Sequence, residues 1–240
     1  MKSKSALTKK DIIVVLACLV FLLANLGLVN SNGREHAKRM VCATNIRQSF
    51  LAMERFSNDN EGELPPHTFL PWVWDVSVKT CDIILKYGAT KNTLYCPSNK
   101  QQKRYRKEYW EYAPPMFRVT GYFWIIDATG RPPIQGSGNK QWLRTIYIKN
   151  AAEAELITDA TLSDVGNWPH AEYPNGNFEQ ILCSGMAVYP KVGYDTTNHL
   201  KSEKEPAGGN IGFADGHVDW RNFSEMERRL NIPGSLIFWW

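Results

Sequence analysis

Residues 12–29 read IIVVLACLVFLLANLGLV, and residues 37–56 that follow read AKRMVCATNIRQSFLAMERF. The first stretch has no charge and one amide, Asn25. As a helix its eighteen residues would extend roughly 27 Å at about 1.5 Å each, close to a bilayer's hydrocarbon thickness. The second stretch is amphipathic. Cys42, Ile46, Ser49, Phe50, Met53 and Phe56 recur at three- and four-residue steps on one face, leaving Arg39, Arg47, Glu54 and Arg55 to point outward. This helix is expected to stop near Asn58-Asp59-Asn60-Glu61-Gly62, where glycine accepts a left-handed cap and Pro65-Pro66 forbid continuation. The boundaries that follow are a basic leader-like segment 1–11, a transmembrane helix 12–29, an amphipathic helix 30–62 and a globular α+β head 63–240.

Composition limits the alternatives. The 240 residues are 43 % hydrophobic and 22 % charged, which excludes disorder as the dominant state. A mean hydropathy of -0.37 excludes a polytopic membrane protein. Lys and Arg number 28 against 24 acidic residues, and the basic side chains are scattered, so nucleic acid is not an expected partner. Lys2, Lys4, Lys9 and Lys10 precede the apolar run, whereas Arg34, Lys38 and Arg39 follow it. This orients the amino terminus inside and the head extracytoplasmic in a single pass. A removed signal peptide competes with this reading, although Val29-Asn30-Ser31 matches a cleavage site loosely.

In the head, residues 75–87 place Val78, Cys81, Ile84 and Leu85 on one face and predict a helix ending at Gly88. Residues 120–126, 142–148 and 155–158 read as strands. Ile211, Phe213, Val218 and Trp220 flank Asp215-Gly216, the strongest hairpin signal in the chain. Residues 222–230 read as a short helix with Ser224 and Glu227 as a capping pair.

Three parts of the chain resemble type IV pilin-like proteins, including the pseudopilins of type II secretion. Residues 37–48 with Asn58-Asp59-Asn60-Glu61-Gly62 and Leu64-Pro65-Pro66 follow that family's order, and Tyr95-Cys96-Pro97-Ser98 is also similar to it. Gly209-Asn210-Ile211-Gly212-Phe213-Ala214-Asp215-Gly216-His217-Val218 resembles the carboxy-terminal motif of the prepilin-type processing-associated branch, in which a His precedes the Asp-Gly by about nine residues. Here His199 precedes Asp215 by sixteen positions. The resemblance implies a long amino-terminal helix packed on a head with an antiparallel sheet. Placing Asp11 at the acidic fifth position of a mature pilin puts the cut between Ala6 and Leu7. Lys9 and Lys10 fall where the family has apolar residues.

The implied function is a structural subunit in the bacterial cytoplasmic membrane. Residues 12–29 would meet lipid, and the head would bind other subunits, secretion machinery, or envelope or extracellular ligands. The alternative is an unprocessed, non-polymerising anchored binding protein. Four cysteines, Cys42, Cys81, Cys96 and Cys183, would lie in an exported head and are disulfide candidates with three possible pairings. A bridge from Cys81 to Cys96 would close a loop of about fifteen residues, worth roughly 3 kcal/mol. No Cys-x-x-Cys occurs and the histidines are not spaced as partners, so zinc is not expected. No cofactor is required. Some pseudopilins hold calcium in a late loop, for which Asp195, Asn198 and Asp215 are the candidates here. No nucleophile elbow, phosphate loop or metalloprotease motif is present, so no catalytic residue is expected. A tethered hydrolase would have to use Asp159 with Asp164 and a cleft lined by some of the nine tryptophans.

Overall fold

The computed structural model describes residues 8–27, 31–68, 72–138, 140–164, 176–181, 194–202, 205–231 and 236–240. The chain divides into two compact units, Met1–Ala37 and Lys38–Trp240.

In the first unit, helix α1 spans Lys9–Gly27. Thr8 and Asp11 cap it reciprocally: the Thr8 amide and hydroxyl donate to Asp11 Oδ2 at 2.8 and 2.7 Å, and the Asp11 amide donates to Thr8 Oγ1 at 3.3 Å. This corrects the membrane expectation. The first three positions of α1 are charged, so its uncharged part is the sixteen residues from Ile12 to Gly27. That is roughly 24 Å of helix against a core of about 30 Å. Among the described residues no helix is long and apolar enough to cross a membrane. The transmembrane segment, the single-pass location in the cytoplasmic membrane and the pilin-like fold with a membrane half-helix are therefore not supported.

The second unit is α+β with antiparallel sheets. Helix α2 spans Ser31–Asn58, and its residues from Lys38 onward belong to this unit. It closes where the Gly62 amide reaches Ser57 O at 2.8 Å, with Gly62 at φ 85°. Strand β1 (Asp75–Ser77) leads directly into α3 (Val78–Lys86), whose amino end is capped by the Ser77 hydroxyl. Residues 75–77 are thus strand where the periodicity predicted helix, because they pair with β2 (Phe117–Val119). Between them lie the short helices α4 (Lys100–Arg104) and α5 (Arg106–Trp110).

The central sheet comprises β3 (Tyr122–Trp124), β4 (Glu155–Asp159), β8 (Gly208–Phe213) and β9 (Val218–Asn222), in the order β3-β4-β8-β9. After Ala160 the chain leaves this sheet as β5 (Thr161–Asp164), which joins a second sheet in the order β10-β11-β5. Strands β6 (Leu200–Ser202) and β7 (Glu205–Pro206) form a separate small hairpin, and β10 (Arg228–Asn231) pairs with β11 (Leu236–Trp239). Asp159 therefore sits at the seam where one strand run passes from the first sheet to the second.

Two segments depart from their sequence reading. Residues 142–148 make only isolated bridges, Leu143 with Ile126 and Thr145 with Glu63. Their buried members, Leu143 and Ile146, are three apart, a spacing that a two-residue strand repeat cannot place on one face. Residues 222–230 are a single turn followed by β10. The capping pair there is Asn222 with Glu225, whose carboxylate accepts from the Asn222 amide at 3.1 Å.

The core is aromatic. Phe123 meets Phe238 at 5.2 Å and Trp240 at 5.9 Å between ring centres, and Trp74 lies 6.3 Å from Phe238. Helix α2 buries Cys42, Ile46, Phe50 and Met53 in the same core. Its approach is close: a methyl group at Gly212 would stand 2.5 Å from Ile46 Cγ2, and one at Gly216 would stand 2.5 Å from the Phe50 ring.

Candidate functional site

A sealed polar knot lies beneath α2. Cys42 comes from the helix, Cys96 from the loop after the turn Lys91–Leu94, Asp159 from the end of β4, and His199 from the residue preceding β6; all are at 1 % exposure or less. Cys42 Sγ donates to Asp159 Oδ1 at 2.9 Å and contacts the Tyr122 hydroxyl at 3.3 Å. Cys96 Sγ lies 3.3 Å from His199 Nε2, which lies 3.3 Å from Asp159 Oδ2.

Two asparagines complete the carboxylate's shell. Asn198 Nδ2 donates to Asp159 Oδ1 at 2.9 Å, while the Asn210 amide and its Nδ2 donate to Oδ2 at 2.8 and 2.9 Å. The second hydrogen of each asparagine amide is also used: Asn198 Nδ2 donates to Gly121 O at 2.8 Å and Asn210 Nδ2 to Arg39 O at 3.3 Å. Trp220 stands edge-on to His199 at 5.3 Å, with the Arg39 guanidinium 3.9 Å above the Trp220 ring. A buried polar group this well satisfied rigidifies its surroundings instead of destabilising them.

The electrostatics follow from burial and pairing. Burial alone would discharge both members of the Asp159–His199 pair. Their mutual attraction and hydrogen bonding outweigh it, holding Asp159 down at about 2 and pushing His199 up to about 12. Burial pushes the Cys42 thiol well above its ordinary range, and the Asp159 charge adds to this. Burial also opposes a Cys96 thiolate, but contact with Cys42 and the positive charge of His199 prevail and lower it.

His199 occupies this knot despite its long separation from Asp215. Strands β6 and β7 pair with each other apart from the larger sheets, and the Ala207 amide donates to His199 O at 2.8 Å. This contact returns the chain to His199 eight residues before Asp215. His199 itself adopts φ 52°, which turns the chain between Asn198 and the hairpin.

The other carboxy-terminal motif residues lie at the β8–β9 turn. Gly216 has φ 87°, as the turn requires. Asp215 Oδ1 accepts from the His217 amide at 3.1 Å and contacts His217 Nδ1 at 2.5 Å, and the His217 ring stacks on Phe213 at 4.2 Å. Of the leader-like residues, Asp11 caps α1, whereas Ala6 and Leu7 lie outside the described residues.

Cys42, Cys81 and Cys96 are free thiols, and Cys183 lies outside the described residues. Cys81 stands apart, its Sγ 3.9 Å from Val76 O and its thiol pushed up to about 12 by burial. Among the described residues Asp195 and Asp215 belong to no cluster of three or more His, Cys, Asp or Glu donors, and Asn198 Nδ2 donates to Asp159.

One atom each from Cys42, Cys96, Asp159 and His199 does gather: all four lie within 4.8 Å of one another. Sequence spacing missed this set because its members come from four distant segments. The available signal was the similarity itself, which singled out Cys42, Cys96 and His199 separately. Asp159 carried none beyond being an acid at the end of an apolar strand. Comparison with protein-family models, curated proteins and solved structures found no match to this chain.

Proposed function

We propose that the chain is a non-catalytic structural subunit of pilin-like design, whose head works by binding other subunits. The observation that supports this is the convergence of the separate motif segments on one face of α2. Asn45 Nδ2 donates to Tyr95 O at 3.3 Å, beside Cys96. Arg47 Nη1 donates to Gly216 O at 3.3 Å, and Gly216 closes on Phe50. Cys42 meets Asp159 in the knot that also holds His199 and Cys96. Pieces of sequence picked out by one resemblance thus serve a single purpose, fastening the helix to the central sheet and its Asp-Gly hairpin.

The burial of the knot favours structure over catalysis. A nucleophile or general base must come within about 3 Å of the atom it attacks or deprotonates, and side chains sealed from solvent cannot do so without opening the core. Tryptophans 74, 124 and 240 likewise fill the core, leaving them unable to line a saccharide cleft.

The test is mass spectrometry of the amino terminus of the protein isolated from the cells that make it. A pilin-like subunit is expected to begin at an N-methylated Leu7. An intact Met1, or a start at Asn32, would sink the assignment.

A further inference from the structure

We infer that Cys42, Cys96, Asp159 and His199 form a closed structural site for one Zn2+. This goes beyond the pilin-like reading and does not depend on it. The donor set comprises two sulfurs, an imidazole nitrogen and a carboxylate oxygen, a combination that suits a borderline-soft d10 ion and lacks the oxygen-rich shell that Ca2+ or Mg2+ needs.

The geometry agrees with the chemistry. Zn–S bonds of about 2.3 Å and Zn–N or Zn–O bonds of about 2.0–2.1 Å place tetrahedral ligand atoms roughly 3.3–3.8 Å apart. Two measured edges, Sγ of Cys96 to Nε2 of His199 and Nε2 to Oδ2 of Asp159, are each 3.3 Å and match these separations; the Cys42 Sγ–Asp159 Oδ1 edge, 2.9 Å as a hydrogen bond, would open by about 0.6 Å once the metal replaces the thiol proton. A small inward rotation of the carboxylate offers one oxygen to the ion.

The surroundings are built as an outer shell. Asn198 and Asn210 orient the carboxylate from both sides, and Trp220 buttresses the imidazole. Four ligands and no access to solvent make the site structural, with no open position for a substrate. Binding forms the Zn–S and Zn–N bonds as the S–H bonds of the thiols and the Nε2–H bond of His199 break heterolytically, and those protons leave to water. Because the four ligands span residues 42 to 199, the ion would tie α2, the Cys96 loop, the seam between the sheets and the segment leading into β6 into one unit.

The experiment uses the full chain purified under a non-chelating phosphine reductant, with metal content measured by plasma mass spectrometry and the site probed by Co2+ exchange. The expected result is about one Zn2+ per chain. The Co2+ form should show the intense visible bands of a tetrahedral site and a thiolate-to-cobalt charge-transfer band. Cys42→Ser and Cys96→Ser should each remove about half of the charge-transfer intensity, one of two thiolates, and Cys81→Ser should leave it unchanged. Wild-type protein that takes up neither ion, or whose peptide map shows a Cys42–Cys96 disulfide, overturns the inference. A charge-transfer band that keeps its full intensity in both serine variants overturns it too. The wild-type spectrum is decisive even if the serine variants fail to fold.

Discussion

Asp195 lies four residues before His199 and illustrates how one buried acid differs from another. Both Asp159 and Asp195 are sealed from water, but only Asp159 has a cation beside it. Burial pushes the Asp195 carboxyl up to about 7, against which its hydrogen bond from the Thr196 amide, 2.7 Å long, works only partly. In the unfolded chain the same group ionises near pH 3.9. The folded state therefore holds the proton more tightly, and stability falls as pH rises from about 4 through about 7. Asp195→Asn keeps the acceptor and removes the charge. Urea denaturation should find the variant close to wild type near pH 4, and more stable than wild type near pH 8 by on the order of 2–4 kcal/mol. Equal stability of the two proteins at both pH values would contradict this account. At this scale sequence was a poor guide: nothing near Asp159 or Asp195 in the chain distinguishes a paired carboxylate from an unpaired one, because the distinguishing partner is supplied by a distant segment.

Among the elements, α2 and the β8–β9 hairpin were legible because their signals are local. Apolar residues at three- and four-residue steps put Cys42, Ile46, Phe50 and Met53 on one face whatever packs there. A glycine at the turn satisfies a backbone requirement that no neighbour can alter. Where helix meets hairpin, the cost of a side chain can be read directly. Gly216→Ala would combine a positive φ with a methyl group 2.5 Å from the Phe50 ring, and should lower stability by about 2–4 kcal/mol in urea titrations. Gly33→Ala, in α2 where an added methyl meets nothing within 4 Å, should instead add up to about 1 kcal/mol of helix stability, read as increased helicity. Residues 142–148 and 222–230 were misread because strand and helix propensities report only how well a segment suits a surface, and the tertiary partner overrode them. β11 offers residues 228–231 a ladder that no helical turn could match, and 142–148 have no strand alongside to pair with over their length.

Across the whole second unit, residues 236–240 are the keystone. They pair with β5 and β10 and carry Phe238 and Trp240, both fully buried against Phe123. Truncating either ring to alanine should cost about 3–5 kcal/mol, a large share of the roughly 5–15 kcal/mol that holds a domain together. Deleting residues 236–240 should abolish cooperative unfolding, as seen by loss of near-ultraviolet circular dichroism and of the thermal transition; a deletion variant that melts like the intact chain would refute this. Sequence by itself determined the α+β mixture, the face that α2 presents and the place of the Asp-Gly turn, because periodicity and backbone sterics act over a few residues. It overstated the apolar helix: among the described residues, three charged positions open α1, and no helix is long and apolar enough to cross a membrane. Only the tertiary structure decided that Cys42, Cys96, Asp159 and His199 share one sealed site. Their meeting depends on the passage of a strand between two sheets and on the separate pairing of β6 with β7, and neither leaves a mark on local residue patterns.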